Sequence, residues 1–180
     1  MKNLIIIISA FIFFASCKKN ECEDAEGNLT AEELSWLSYA GGESIEFKSN
    51  NNLRDTFYVG NKTNYDYLVS SSGCNAHQQS ISCKIQNHAT TSFVIWTKHK
   101  NEWSPEGKAL IATSSDVFVF SDYSPQNNIL INGNIYNNVY VMAVDTPAPN
   151  PKHIWRIYYT KQTGILRYDF TQGEQWEKIN

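Results

Sequence analysis

The sequence predicts a mainly β domain: a single antiparallel curved sheet, a half-barrel or sandwich, with one short N-terminal helix. Three observations predict it. From Ser44 onward, apolar and polar residues alternate with period two in one short run after another, among them "SIEFKS", "DTFYVG", "YDYLVSS", "SISCKI" and "SFVIWTK". Turn-forming residues separate these runs with no helical pattern between them, which calls for antiparallel connections and not βαβ units. Tyr, Phe and Trp make up 13% of the chain, and large rings of this kind suit pleated, half-buried surfaces.

Taken in order, residues 17–28 are polar and charged without an apolar period and read as a tether. In "LTAEEL", Thr30 is placed to cap a helix and Glu33 to return the bond, a capping box, while Leu29 and Leu34 are spaced as a hydrophobic staple. Trp36 and Leu37 extend the apolar stripe and Gly41-Gly42 stop it. The helix is expected to dock its Leu34, Trp36 and Leu37 side on the sheet, since so short a helix must be held by packing. The strands that follow are parted by "SNNN", "GNK", "SPQNN", "NGN" and the Pro-rich "TPAPNPK". The last is a short span inside a run of strands, so it reads as a loop. With no repeat of fixed period, residues 29–180 are read as one domain.

The three C-terminal strands can be set in register. If "KQTG" joins "IWRIYYT" to "ILRYDF" with an even number of loop residues, Tyr159 faces Leu166, Ile157 faces Tyr168 and Trp155 faces Phe170, all on one side. Arg156 then meets Asp169 on the other side, a favourable cross-strand pair. A three-residue turn ending in Gly173 places Trp176 beside Tyr168 and Glu177 beside Arg167. One face is thus mainly aromatic and expected to be core, and the other mainly polar. The same register puts Glu174 and Lys178 on the aromatic side, where they are expected to reach solvent at a sheet edge.

Lys2 is followed by an almost unbroken apolar run, Leu4 to Phe14, and then by Ala15, Ser16 and Cys17. This is the charged, apolar and small-residue order of a secretory signal. The run is too short for a spanning helix, which needs about 20 apolar residues. A cysteine directly after small residues resembles a bacterial lipobox. The resemblance implies a signal peptide over residues 1–16, cleavage before Cys17, a diacylglyceryl group on its sulfur and a further acyl chain on its amine. Lys18 is not the aspartate that holds well-studied lipoproteins in the inner membrane, so an outer-membrane address follows, on the periplasmic or the surface face. Together with "LTAEELSWLSYAGGESIEFKS" and the closing "IYNNVYVMAV…IWRIYYTKQTGILRYDFTQGEQWEKI", the chain resembles small outer-membrane lipoproteins of Bacteroidetes-type bacteria. The resemblance implies a curved antiparallel sheet and no assigned reaction.

With 15 basic residues against 18 acidic, the chain has a formal charge of −3 and lacks the basic footprint of a nucleic-acid binder. With Cys17 lipidated, Cys22, Cys74 and Cys83 remain, an odd set that allows three single pairings. Cys74 and Cys83 are candidates for a disulfide in an oxidising compartment, leaving Cys22 on the tether. The alternative is zinc held by Cys74, His77, Cys83 and His88, although their spacing lacks the tight pairs of such sites. His99 and His153 stand alone and read as polar surface or cap residues. Tyr58, Tyr65, Tyr67 and Trp103 are residues that stack on sugar or peptide elsewhere, but the simpler reading is interstrand packing. No nucleophile elbow, paired-His helix or phosphate loop occurs, and no cofactor is implied. The leading reading is a membrane-anchored, non-enzymatic binding or envelope-assembly module whose partner is a protein, a glycan or a lipid. Its rivals are a carrier of lipid or another apolar ligand in the curved sheet, and a glycan or peptide hydrolase.

Overall fold

A computed structural model describes residues 29–71, 74–87, 91–98, 109–114, 116–144 and 152–179; for 66–81 this extends to the backbone alone. It is mainly β, with an antiparallel sheet that nearly closes into a barrel. The helix α1 is Ala31–Leu34, and the strands are β1 (Ser44–Ser49), β2 (Arg54–Val59), β3 (Thr63–Ser71), β4 (Cys74–Gln86), β5 (Ser92–Lys98), β6 (Ala109–Ala112) and β7 (Val117–Val119). After a 3-10 turn at Phe120–Asp122 come β8 (Ile129–Ile131), β9 (Asn134–Tyr136), β10 (Tyr140–Ala143), β11 (Ile154–Thr160), β12 (Gly164–Phe170) and β13 (Gln175–Lys178). The sheet runs β10-β11-β12-β13-β1-β2-β4-β5-β6-β7, with β3 added on β4, and β8 and β9 form a separate hairpin. No helix among the described residues is long and apolar enough to cross a membrane.

Alternation decides which residues go inside. Cys83, Ile95, Ile111 and Phe118 sit in one row across β4 to β7, and each is almost fully buried. The row Ile85 and Phe93 lies beside it. Opposite, Tyr168 is ringed by Phe47, Phe57 and Phe93 with centroids 5.3–5.9 Å away, and stacks on Trp176 at 6.3 Å. Edge-to-face packing of this kind adds to the area these rings bury.

The edge strands β7 and β10 close the sheet through side chains. Phe120, just past β7, lies 5.8 Å from the Tyr140 ring of β10 and 4.8 Å from that of Tyr159. Tyr123 donates its hydroxyl hydrogen to the Ala143 carbonyl at 2.9 Å. At the far end of the seam, His153 Nε2 and Asp116 Oδ2 lie 2.6 Å apart.

The N-terminal segment plugs one end. Its capping box forms as the sequence implies: Glu33 N–H donates to Thr30 Oγ1 at 3.2 Å, and Thr30 N–H to Glu33 Oε2 at 2.7 Å. The helix itself stops at Leu34, short of the Gly pair, and Leu34 is 41% exposed. The docking side is therefore Leu29, Trp36 and Leu37, not Leu34, because one turn of helix cannot keep its stripe on the sheet. Trp36 stacks on Phe120 at 4.2 Å, with Lys161 over its other side at 4.0 Å. Tyr159 donates to the Trp36 carbonyl and shares a 2.8 Å hydrogen bond with Ser38 Oγ, and burial pushes its pKa up to about 12.

The C-terminal register holds at its centre: Arg156 pairs with Asp169, Ile157 with Tyr168, Tyr168 with Trp176 and Arg167 with Glu177. It slips at both ends. Irregularities between Ile154 and Arg156 and between Tyr158 and Tyr159 set Ile154, not Trp155, opposite Phe170, and Ile165, not Leu166, opposite Tyr159. Leu166 therefore leaves the aromatic core for the other face. There it joins Tyr158, Ile131 and Val139 in a second apolar cluster under the β8–β9 hairpin. The face expected to be polar is thus partly roofed, and Asp169 beneath it is 2% exposed, held by Arg167 at 2.7 Å. Nor is β13 an edge, since it lies between β12 and β1. Lys178 is accordingly half-buried, donates to the Thr163 carbonyl at 3.2 Å, and has its pKa lowered by burial.

Candidate functional site

Strand β11 runs away from the turn end of the sheet to the helix end and β12 runs back, seven residues each, so the ends lie about 20 Å apart. At the turn end, the β1–β2 and β12–β13 turns are tied together by Asn50. Its Nδ2 donates to the Gly173 carbonyl at 3.1 Å, its N–H donates to the Gln175 carbonyl at 3.0 Å, and Gln175 N–H donates to Asn50 Oδ1 at 3.4 Å. Each turn is locally determined. Buried Ser49 accepts from Asn51 and Leu53 N–H through its hydroxyl, and Asn52 takes φ +63°. Gly173 takes φ +84° and closes the second turn onto the Phe170 carbonyl. The β8–β9 hairpin brings up a third turn: Asn132 N–H donates to Glu177 Oε2 at 3.0 Å, and its Nδ2 to the Lys178 carbonyl at 3.2 Å.

Between these turns lie two depressions of about 460 and 350 Å³ that meet at Asn50. Lys152, Asn51, Gln172 and Glu174 line the first. The second continues along the outside of β1 and β13 past Lys48, Asn52, Asn132 and Glu177. Among the described residues, no side chain lining either is apolar. Asn50 and Asn132 are spent on holding the turns, and Glu174 accepts from Trp176 Nε1 at 3.0 Å. The carboxamides of Asn51, Asn52 and Gln172 have no hydrogen-bond partner among the described residues and are free for a ligand.

No family model, curated protein or solved structure matches this chain.

The cysteine expectation is corrected. Cys83 is a free thiol, and Cys74 stands nine residues earlier in the same strand. At about 3.3 Å per residue their Cα atoms are roughly 30 Å apart, whereas a disulfide needs about 7 Å or less. The same extension separates them as ligands of one zinc ion. Cys83 is a core residue: burial raises its pKa, and its thiol donates to the Gly60 carbonyl at 3.4 Å. Among the described residues no group of three or more His, Cys, Asp or Glu could hold a metal. His77 lies on β4 opposite Leu68, its side chain outside the description. Cys17, Cys22, His88, His99 and Trp103 lie outside the described residues, as does the Tyr67 side chain.

Two further readings change. Tyr58 and Tyr65 are 47% and 50% exposed and lie outside the core. His153 is neither surface nor alone. It is 7% exposed against Asp116, and at 2.6 Å one of the two facing atoms must carry the proton. Neither atom has another partner among the described residues, and the pair clasps the seam between β7 and β11. The groove itself escaped the sequence, since "SNNN", "NGN" and "TQG" are each legible as turns but nothing local says that they converge.

Proposed function

We propose that the chain is a lipid-anchored protein of the bacterial cell envelope, held at the outer membrane through Cys17, and that its β domain is a non-enzymatic binding or envelope-assembly module. The observation that carries this reading is the separation of the two ends. The described chain starts at Leu29, at the end plugged by Trp36 and Leu37, while the polar groove opens at the other end. A tether over residues 17–28, at most about 40 Å long, would join the anchor to the plugged end and leave the groove, at the opposite end, clear of the attachment point. Two or three acyl chains hold such a domain stably where one would not.

The packed interior supports a binding surface over an apolar carrier. The space a lipid would take is filled by Phe47, Phe57, Phe93, Tyr168 and Trp176. The buried His153 is taken up by Asp116 at 2.6 Å across the seam, which supports a structural role for this acid–base pair.

Metabolic labelling with an alkyne fatty acid tests the anchor. The wild-type chain is expected to take up label, and Cys17→Ala to lose it. Equal labelling of the two would overturn the anchored reading.

A further inference from the structure

We infer that the groove at the turn end binds a neutral, polyhydroxylated ligand, a carbohydrate chain. This deepens the binding-module reading and rests on it. The lining chemistry chooses among ligand classes. Among the described residues lining the two depressions, Lys48 and Lys152 balance Glu174 and Glu177, so their charges sum to zero and favour neither a polyanion nor a polycation. An extended peptide needs apolar pockets for its alternate side chains, and the described residues of this lining offer none. What remains is an array of carboxamides. Each presents a donor and an acceptor side by side, the match for hydroxyl groups, which are donors and acceptors at once.

The array is built in two layers. Asn50 and Asn132 are committed to backbone partners and fix the walls, so Asn51, Asn52 and Gln172 are displayed on a stable frame. Two depressions meeting at Asn50 make one path past all three turns, which suits several sugar units in a row and not a single one. Among the described residues no aromatic ring lines the path, so each unit is held weakly, and several units in a row are needed for useful affinity.

The experiment uses the full-length protein in detergent with immobilised neutral polysaccharides (dextran, xylan and galactomannan), and with heparin and polylysine as charged controls. Binding to at least one neutral polymer is expected. Asn51→Ala/Gln172→Ala, both exposed, should lower its affinity by about tenfold at an unchanged melting temperature. Tyr58→Ala, on the outer face of β2, should leave it unchanged. Preference for heparin or polylysine, weakened by the double variant, would overturn the ligand class while keeping the groove. Binding to none of the polymers, or binding lost in Tyr58→Ala and not in the double variant, would overturn the site. Labelling of Cys17 is scored separately, so failure here is not confused with failure of the anchor.

Discussion

Replacing Gly164 by alanine is expected to destabilise the domain by about 4 kcal/mol, because two costs fall on one atom. Gly164 has φ +80°, where an L side chain costs about 1–2 kcal/mol. Its new Cβ would also lie 2.2 Å from both Cζ and Oη of Tyr39. That ring cannot step aside. Tyr39 is 3% exposed, and its hydroxyl accepts from Ile165 N–H at 2.6 Å, so overpacking adds about 1–3 kcal/mol. Gly173 provides the comparison. It has φ +84° with nothing within 4 Å of a would-be Cβ, so Gly173→Ala should cost the backbone share alone, about 1–2 kcal/mol. Denaturant midpoints of the two variants decide it. Equal losses would mean that the contact with Tyr39 carries no weight. Tyr39→Ala in the Gly164→Ala background should cost less than in the wild type, since the two residues share one volume.

Tyr168→Ala is the second large effect, expected to cost about 4 kcal/mol and to leave little of the stability typical of such a domain. The ring touches four other strands at once. Phe47 of β1, Phe57 of β2 and Phe93 of β5 lie 5.3–5.9 Å from it, Phe170 lies at 5.7 Å, and the Trp176 indole is stacked at 3°. Its removal empties the centre of the core and unties the C-terminal meander from the β1–β5 side. Tyr168→Phe keeps the ring. The hydroxyl makes no hydrogen bond among the described residues, and burial holds its pKa far above that of a free tyrosine, so the loss should stay below about 1 kcal/mol. Thermal unfolding of the pair separates ring from hydroxyl, and a Tyr168→Ala domain that melts like the wild type would contradict a filled core.

Where the pattern is local, the sequence is readable. Period two found the strands, turn chemistry found the turns at "SNNN" and Gly173, and the spacing of Thr30 and Glu33 found the cap. Parity even placed Arg156 against Asp169 and Tyr168 against Trp176 from the sequence alone. Parity fails where a strand is irregular. Two register shifts sent Leu166 to the outer face and took Trp155 from its place opposite Phe170, and no residue in "IWRIYYT" announces them. Non-local pairing was equally hidden. That β13 has β1 on its far side, and that β8–β9 roofs Tyr158, depends on chain segments far apart in sequence. The cysteine error has the same root. Cys74–Gln79 is too polar to show as strand, so β4 looked half as long, and its two thiols looked close.

Native mass spectrometry of the full-length protein, released gently from membranes in detergent, tests the filled core most directly. A core of packed rings predicts the mass of the polypeptide with any covalently attached groups and no non-covalent passenger, and a melting temperature unchanged by stripping with apolar solvent. A second, non-covalent apolar mass at stoichiometric occupancy, whose removal lowers the melting temperature, would contradict it and make the sheet a carrier.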